Sequence, residues 1–371
     1  MTVEPRSDGK KHVVVVGAGV AGLYVAQKVR KESDVHVTLV TDKDCFVFLP
    51  RLTELFSGSI EEKKACLQLK DVWKGDLITD KVTMVQPQDK KILLNSGESI
   101  SYDALVLSIG SQPNFFNTPG SQYCHSFYSK DDADKLKEHV RNLLTADEQP
   151  GTHTFTIIGG GPTGVEVAFV VASYVRSQKA TSKVLLIERN PSVLNMMPQQ
   201  MRDEVTKVLE KNGVTILPNT GVKNVTPLSV EIEKQDGVKE TIPCYTTIWA
   251  AGSKPQQVGI AGVELSARGE IPVKPTLQLQ NFNDIFALGD CAATGSPKTA
   301  QAAVQQAAVV SSNVHKMLRG KELDQFAFKD KGTIIALEKE TVGLIYGKVI
   351  SGFISRQIRD KYYSFVLGNY K

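Results

Sequence analysis

Short apolar runs alternate with helical patterns along the first part of the chain. Residues 12–16 form one apolar run, a histidine followed by four valines, and residues 35–40 form a second. Between them, residues 21–31 have the apolar spacing of a helix. Strand, helix and strand in this order are typical of a βαβ unit, whose strands lie parallel in one sheet. The pattern therefore predicts that the chain opens with such a unit.

The same order of elements recurs in the middle of the chain. A strand is predicted over residues 155–158, a helix over 164–174 and a further strand over 183–187. Each unit continues with a hairpin and then with an apolar strand that ends in glycine, at Gly110 and at Gly252. We interpret this repeat as a structural duplication. It predicts an α/β fold with two Rossmann-like dinucleotide-binding domains.

The chain length and the later elements suggest how the domains are divided. A chain of 371 residues is longer than the size at which a single core stops growing. A strand at residues 284–290 and a helix at 299–318 follow the second unit, and we expect them to return to the first domain. The predicted division is a discontinuous first domain over 1–118 and 253–322, a second domain over 119–252, and a C-terminal hairpin and amphipathic helix over 323–371.

A glycine fingerprint follows the first strand of each unit. The first glycine permits a left-handed backbone angle, the second lets a pyrophosphate approach the main chain, and the third lets the helix pack on the strand. The helix N-terminus then offers free N–H groups and a partial positive charge to the phosphates. Two fingerprints therefore predict two bound dinucleotides. Their residues are Gly17, Gly19, Val20, Ala21 and Gly22 in the first turn, and Gly159, Gly161, Pro162, Thr163 and Gly164 in the second.

Composition excludes several classes of function. The net charge of +4, from 44 basic and 40 acidic residues, is too small by itself to indicate nucleic-acid binding. The five cysteines show neither a CxxC pair nor metal-ligand spacing, so we predict neither a disulfide relay nor a metal site. There is no signal-peptide pattern and no apolar run of about 18 residues. We expect an intracellular protein, cytoplasmic or peripheral on a membrane such as the mitochondrial surface, and neither secreted nor membrane-spanning.

Several segments together resemble a known family, and the similarity covers nearly the whole chain. Besides the fingerprints, these segments are residues 44–50, the strand ending at Gly110, and residues 249–252, 286–290 and 300–306. Their order resembles that of two-dinucleotide flavoproteins of the pyridine nucleotide-disulfide oxidoreductase superfamily. The most similar branch is that of the type II NADH dehydrogenases and the apoptosis-inducing-factor-like and ferroptosis-suppressor-like quinone reductases. The resemblance implies that the first fingerprint binds FAD, that the second binds NAD(P)H, and that two electrons pass through FAD to a quinone.

The resemblance also implies further cofactor contacts. Asp290 would hydrogen-bond the ribityl or pyrophosphate region of FAD, and Gly289 would keep the backbone close. Thr299 and Ala300 open a helix whose N–H groups would stabilise negative charge on the reduced flavin. The remaining implied contacts are Pro50, Arg51, Ile109, Gly110 and Gly252.

The ends of two strands bear on how each adenosine ribose is held. An acidic residue is usual at the end of the second strand, but Thr41 stands there in the first unit, with Asp42 next to it. A threonine hydroxyl serves one ribose oxygen, so we expect either weaker holding or a one-residue shift to Asp42. In the second unit Glu188 takes the acidic position, and its carboxylate would repel a 2′-phosphate. NADH is therefore favoured, and Arg189 beside it keeps NADPH open as the alternative.

Glu166 and three glutamines are candidate residues for the reaction itself. We place Glu166 on the first turn of its helix, where the resemblance implies a position beside nicotinamide and flavin and where an acid also suits the helix dipole. Gln301 and Gln305 are four residues apart and share one helix face. Together with Gln306 they resemble the family's quinone-site motif. A solvated polar face is the alternative, which the flanking alanines and valines disfavour.

The C-terminal stretch combines apolar, aromatic and basic residues. Residues 341–371 contain five basic residues and one acidic residue. The net charge of this stretch, +4, therefore equals that of the whole chain. Basic residues beside an aromatic apolar face suit a membrane surface, and packing on the protein itself or on a homodimer partner is the equal alternative. A helix over residues 349–366 would place Ile350, Phe353, Ile354, Ile358 and Tyr362 on one side, with Arg356, Arg359 and Lys361 elsewhere.

Two other functions stay open at this stage. One is an NAD(P)H reductase of a soluble acceptor, such as an iron–sulfur carrier or oxidised ascorbate. The other is a non-catalytic signalling flavoprotein that uses bound nucleotide to choose its partners. The glutamine-rich helix favours a quinone as the acceptor.

Overall fold

The computed structural model describes residues 2–3, 9–145 and 153–370 of the chain. Met1 and Lys371, the ends of the first and last predicted domains, lie outside the described residues. The helices are α1 Val20–Val29, α2 Leu52–Ser57, α3 Leu69–Val72, α4 Lys130–Leu144, α5 Pro162–Ser177, α6 Gln199–Lys211, α7 Ala300–Leu318 and α8 Gly352–Gly368.

The strands fall into a first and a second half along the chain. The first half contains β1 Thr2–Val3, β2 Lys11–Val16, β3 Val35–Thr41, β4 Cys45–Val47, β5 Cys66–Gln68, β6 Asp76–Thr79, β7 Val82–Gln86, β8 Lys91–Leu94, β9 Ser99–Ser101, β10 Ala104–Leu107, β11 Ser111–Pro113, β12 His125–Ser126, β13 Thr154–Ile158 and β14 Lys183–Ile187. The second half contains β15 Val214–Leu217, β16 Thr220–Thr226, β17 Ser229–Lys234, β18 Lys239–Pro243, β19 Thr246–Trp249, β20 Ser253–Pro255, β21 Gly259–Ile260, β22 Ile271–Pro272, β23 Gln278–Leu279, β24 Phe282–Ala287, β25 Ala292–Ala293, β26 Thr333–Ile335, β27 Val342–Ile345 and β28 Lys348–Ser351.

A six-stranded sheet with the order β23-β24-β10-β2-β3-β6 organises the first unit. Its central strand β2 is buried except at Lys11, because its valines are covered on both faces of the sheet. Strand β2 pairs in parallel with β3 and β10, and β10 pairs in parallel with β24. Strand β24 follows the second unit in sequence, so the chain returns to the first sheet before α7 packs against α1.

A five-stranded sheet with the order β12-β19-β13-β14-β15 organises the second unit. Its strands β19, β13, β14 and β15 repeat the arrangement of β10, β2, β3 and β6, and all of these neighbours pair in parallel. This equivalence confirms the predicted α/β fold with two Rossmann-like units.

The first two predicted hairpins belong to larger sheets, the first to a mixed five-stranded sheet and the second to an antiparallel three-stranded sheet. The pair β7–β8 continues into β9, and the pair β17–β18 is preceded by β16. The apolar pattern does not predict β9 or β16, because few of their side chains are apolar and buried.

The C-terminal segment differs from its prediction. Strands β26, β27 and β28 form a three-stranded antiparallel sheet rather than a hairpin. Because β28 occupies residues 348–351, α8 begins at Gly352 instead of residue 349. Phe353 and Ile354 are 73% and 62% exposed, and the opposite side of the helix faces the protein. In the described part of the chain, no helix has both the length and the apolar character needed to cross a bilayer.

Candidate functional site

The predicted binding residues gather at the carboxyl ends of the parallel strands. Gly17, Gly110 and Gly289 follow strands β2, β10 and β24 of the first sheet, and Gly159 and Gly252 follow β13 and β19 of the second. Ligands of open α/β sheets bind at this edge. The strands that come directly after Gly110 and Gly252, β11 and β20, pair antiparallel and connect the two edges.

The turn at residues 17–22, here called the first cradle, shows what each glycine does. Gly17 has φ 98°, and a Cβ on it would lie 2.4 Å from the carbonyl oxygen of Ser108. A Cβ on Gly22 would lie 1.9 Å from the carbonyl oxygen of Gly17, whereas one on Gly19 would meet no atom within 4 Å. Packing therefore requires Gly17 and Gly22. Gly19 faces open space, through which phosphates can approach the main chain.

The turn at residues 159–164, here called the second cradle, repeats this geometry. Gly159 has φ 104°, and a Cβ on it would lie 2.7 Å from the Cα of Ala251. A Cβ on Gly164 would lie 1.8 Å from the carbonyl oxygen of Gly159, and one on Gly161 would meet nothing within 4 Å. Both cradles thus combine two tightly packed glycines with a middle glycine that faces open space.

Helices α1 and α5 begin without a capping side chain. Their N-cap residues are Gly19 and Gly161, and neither helix has an acidic residue in its first turn. The first N–H groups therefore stay available, and the helix dipole adds partial positive charge, so each helix start favours an anion. The first turns contain the predicted contacts Val20, Ala21, Pro162 and Thr163, of which the last two are exposed.

The structure places Thr41 and Asp42 in different environments. Thr41 ends β3 and is buried, and its hydroxyl oxygen accepts the N–H of Lys43 at 3.2 Å. Asp42 is exposed, and its carboxylate lies 3.8 Å from the Lys43 ammonium group. The hydroxyl of Thr41 is therefore engaged in its own turn, whereas the carboxylate of Asp42 remains open to solvent.

Glu188 is fixed directly beneath the second cradle. One carboxylate oxygen accepts the N–H of Gly160 at 2.5 Å, and the other accepts two N–H groups of Asn190 at 2.6 Å. Glu188 is 7% exposed and follows β14. Glu188 is therefore held against the turn of the second cradle, and its predicted contact with a ribose stays a prediction.

The loop after β24 joins two distant parts of the chain. Gly289 has φ 75°, and its N–H donates to Oε1 of Gln306 at 2.6 Å. The carboxylate of Asp290 accepts the hydroxyl of Ser111 at 2.7 Å, and Ser111 is hydrogen-bonded in turn to the hydroxyl of Tyr128. The sequence offered no signal for Ser111, because it lies 179 residues from Asp290.

The structure brings Gln301 and Gln305 together and separates Gln306 from them. Gln301 donates to the carbonyl of Gly332 at 3.0 Å, and Gln305 donates to that of Lys329 at 2.9 Å. Their amide oxygens accept backbone N–H groups of the same segment, residues 329–332. Gln306 is 2% exposed and turns towards the Gly289 loop. Helix α7 begins at Ala300, and the Thr299 hydroxyl caps it by accepting the N–H of Ala302.

Glu166 lies at the inner side of α5. The helix begins at Pro162, so Glu166 is on its second turn and the predicted place on the first turn is wrong. Its Oε1 accepts the N–H of Ala336 at 2.7 Å. Burial raises the pKa of Glu166 to about 8, against the opposing effects of this N–H group and of Arg359. The side chain keeps partial contact with solvent, and a carboxyl that titrates near neutral pH suits proton donation and acceptance.

A cation from the C-terminal helix lies near this carboxyl. Arg359 is 2% exposed, and its guanidinium lies 3.1 Å from the Glu54 carboxylate and 2.7 Å from that of Asp360. Burial raises the pKa of Glu54, while Arg359 and Arg51 oppose that shift. Arg359 was predicted to lie away from the apolar side of the helix, and it lies on the side of α8 that faces the protein, opposite the exposed Phe353 and Ile354.

Pro50 and Arg51 form a short turn between β4 and α2. Arg51 donates to the carbonyl of Lys64 at 3.2 Å, and its guanidinium lies 5.5 Å from the ring centre of Tyr363. The hydroxyl of Tyr363 donates to the carbonyl of Pro50 at 3.2 Å. Sequence reasoning missed Tyr363, although its spacing of seven residues from Tyr370 was an available signal.

Two cysteines lie close together, although the sequence shows no close pair. Cys45 and Cys66 are on the paired strands β4 and β5, and their thiols interact. Burial, followed by the neighbouring Cys66, raises the pKa of Cys45 to about 12. The reactive thiolate form of Cys45 is therefore scarce at neutral pH.

Two cradles of the same geometry, each beside the strand ends of its own sheet, therefore occur in one chain. The family model for pyridine nucleotide-disulphide oxidoreductases matches residues 11–307. The chain belongs to this family. The match covers both cradles and reaches into α7, whereas the C-terminal sheet and α8 lie beyond it.

Relatives and solved structures resemble the chain over most of its length. The type II NADH:quinone oxidoreductase of Staphylococcus aureus is 27% identical over 372 residues, with 92% of each chain covered. The Staphylococcus saprophyticus protein of the same name is 27% identical over 370 residues, with the same coverage. The NDH2 structure from Plasmodium falciparum in complex with NADH has a TM-score of 0.86 at 18% identity and covers 96% of this chain and 95% of its own. The sulfide:quinone oxidoreductase of Aquifex aeolicus has a TM-score of 0.82 at 19% identity and covers 97% and 91%. At these identities the structural likeness establishes the shared fold.

Proposed function

We propose that this protein is a flavin-dependent NADH:quinone oxidoreductase. FAD would bind the first cradle and NADH the second, and two electrons would pass from NADH through FAD to a quinone. The observation that carries the proposal is the repeated cradle, in which a glycine facing open space stands at an uncapped helix start. The staphylococcal relatives, similar over 92% of the chain, are named for this reaction.

The redox chemistry would belong to the bound flavin, and the chain would bind, orient and handle protons. The N–H groups at the start of α1 would hold the FAD pyrophosphate, and Asp290 would hold the ribityl region. The corresponding groups of α5 would hold the NADH pyrophosphate, with Glu188 at the ribose. Glu166 would take up or release a proton beside them, as its raised pKa allows.

Gln301, Gln305 and Gln306 stay the predicted quinone-site residues. Their contacts support a role in shaping that site, because two of them fix the backbone of residues 329–332 and the third fixes the Gly289 loop. The preference for NADH rests on Glu188, whose carboxylate is held beneath the second cradle, where a 2′-phosphate would meet a like charge.

We propose further that α8 attaches the protein to a membrane surface, where a lipophilic quinone would be available. Phe353, Ile354 and Phe365 are 73%, 62% and 65% exposed on this helix, and Lys361 lies exposed on the same side. An exposed apolar side with a basic residue suits the boundary between headgroups and acyl chains. A homodimer that covers this side is the alternative.

Vesicle sedimentation tests this attachment. The wild type should sediment with anionic phospholipid vesicles, and Phe353→Ser with Phe365→Ser should stay in the supernatant with normal flavin content. Leu228→Ser, at an exposed apolar residue of the second unit, is the matched control. A wild type that stays in the supernatant but has twice the monomer mass by ultracentrifugation would favour the homodimer.

Two alanine substitutions test the two cradles separately. Gly19→Ala and Gly161→Ala each place a methyl group in open space without strain, because their φ angles are −75° and −73°. We expect Gly19→Ala to fold but to purify with little FAD. Gly161→Ala should keep FAD and show a raised KM for NADH. Gly221→Ala, in the antiparallel strand β16, is the matched control.

Anaerobic mixing then tests the reaction. The yellow protein should bleach on addition of NADH and regain its colour with a short-chain quinone. Recovery with an iron–sulfur protein but not with quinone would select the soluble-acceptor alternative. Wild-type protein that cannot be loaded with any flavin would overturn the proposal.

A further inference from the structure

The C-terminal segment places two buried tyrosines against the first unit. Tyr363 lies on α8 and Tyr370 lies just beyond its end, and they are 7% and 0% exposed. A spacing of seven residues is about two helical turns, so both rings are on the same side of the segment. They belong to the hydrophobic core that also contains the residues of β2 and α1.

Tyr370 contacts the first cradle directly. Its hydroxyl donates to the carbonyl of Val20 at 2.8 Å, and Val20 is the first residue of α1. Its ring lies 4.7 Å from that of Phe46, which is itself 1% exposed. Tyr370 therefore fixes the segment after α8 to the turn whose N–H groups would face the phosphates.

Tyr363 contacts the second segment predicted to touch FAD. Its hydroxyl donates to the carbonyl of Pro50, and its ring packs edge-on against Phe48 at 5.1 Å. The guanidinium groups of Arg51 and Arg359 lie 5.5 Å and 5.6 Å from the same ring. The ring is thus held on several sides, and its hydroxyl meets a backbone group at the start of α2.

A buried tyrosine hydroxyl needs a hydrogen-bond acceptor, because an unpaired one carries a desolvation penalty. Both acceptors here are carbonyl groups of predicted FAD contacts, 30 residues apart in sequence. A single helical segment therefore sets the position of one backbone segment relative to the other. Hydrophobic packing of this segment on the first unit requires the two rings but not their hydroxyl groups.

We propose that Tyr363 and Tyr370 are positioning residues of the first cradle. Their hydroxyl groups hold Val20 and Pro50 at the separation that bound FAD requires, so the C-terminal segment contributes to flavin retention through the backbone. The inference rests on the proposed function, since it takes the first cradle as the FAD site.

The test removes only the hydroxyl groups. Tyr363→Phe and Tyr370→Phe keep both rings, and Tyr346→Phe, at a tyrosine that is 87% exposed, is the matched control. We expect FAD to leave each purified holoprotein variant about two- to tenfold faster than the wild type, the range that one lost hydrogen bond supplies. Because the two hydroxyl groups act on one separation, the double variant should release FAD more slowly than the product of the two effects predicts, and the KM for NADH should stay unchanged.

Melting temperatures with and without FAD distinguish positioning from simple stability. In a positioning role the increase in Tm that FAD produces becomes smaller in the variants. An equal fall in Tm with and without FAD, at an unchanged rate of FAD release, would overturn the inference. The single variants keep the test available if the double variant does not fold. Wild-type protein that binds no FAD would instead overturn the proposed function.

Discussion

Replacing Glu166 by glutamine should change the pH dependence of stability. The pKa of Glu166 is about 8 in the folded protein against an ordinary value of 4.5. Between these values the folded protein keeps a proton that the unfolded chain has lost, so stability falls as pH rises through this window. Glutamine can still accept the N–H of Ala336 but has no proton to lose.

The magnitude of this change in stability follows from the difference between the two pKa values of Glu166. A shift of about 3.5 pH units at about 1.4 kcal/mol per unit sets an upper limit of about 5 kcal/mol. Glu166 as a whole residue is half-buried, and residual solvent screening reduces this figure, so we expect about 1–2 kcal/mol. The penalty should be absent below about pH 4.5 and complete above about pH 8.

Unfolding of the wild type and of Glu166→Gln from pH 5 to pH 9 measures this difference. The variant should gain stability relative to the wild type as pH rises, by a few degrees in Tm at most. Glu210→Gln, at an exposed residue of α6, should show no such trend. A difference between wild type and Glu166→Gln that stays constant across this range would refute the reasoning.

The remaining predictions concern Glu188, the buried ion pair and the packed glycines. Glu188→Gln should raise kcat/KM for NADPH relative to NADH by about fivefold, because a like charge worth about 1 kcal/mol is removed. Steady-state kinetics with both nucleotides would show an unchanged ratio if Glu188 does not face the ribose. Arg359→Leu should destabilise the protein in urea unfolding by less than the about 3–5 kcal/mol of a fully unpaired buried charge, since the Glu54 carboxylate then keeps only Arg51, at 3.5 Å. Adding Glu54→Leu should recover most of that loss, and no recovery would mean that the two residues are not coupled. Gly22→Ala should yield unstable or insoluble protein whether or not FAD is supplied, because its Cβ would lie 1.9 Å from the carbonyl oxygen of Gly17. A Tm equal to that of the wild type would contradict this steric reasoning.

The sequence predicted the parts of this structure that depend on local patterns. The fingerprint glycines, the strands that precede them and the acidic residue after β14 follow from spacing within about 30 residues, and all lie at the sheet edge where they were expected. The helix capped by Thr299 was predictable for the same reason. Such features repeat in one chain because each cradle is built from a single strand, turn and helix.

Contacts between distant parts of the chain were not predictable in this way. Ser111 meets Asp290, and Arg359 meets Glu54 more than 300 residues away, only because the folded sheets and α8 bring them together. The sequence did not indicate which basic residue of the tail would be buried, since a charged side chain normally faces water. The burial of Arg359 depends on a carboxylate that no local pattern connects to the tail.

The antiparallel pair formed by β11 and β20 fixes the position of one half of the molecule relative to the other. Ser111 lies opposite Pro255, and Pro113 lies opposite Ser253, directly after the glycines that end the two central strands. A slip of one residue in this pairing would move one half along the other by about 3.4 Å. A misplacement of the reacting groups by about 1 Å can slow a reaction such as hydride transfer about 100-fold. An insertion of one residue here should therefore leave both halves folded and loaded, yet stop electrons from crossing between them.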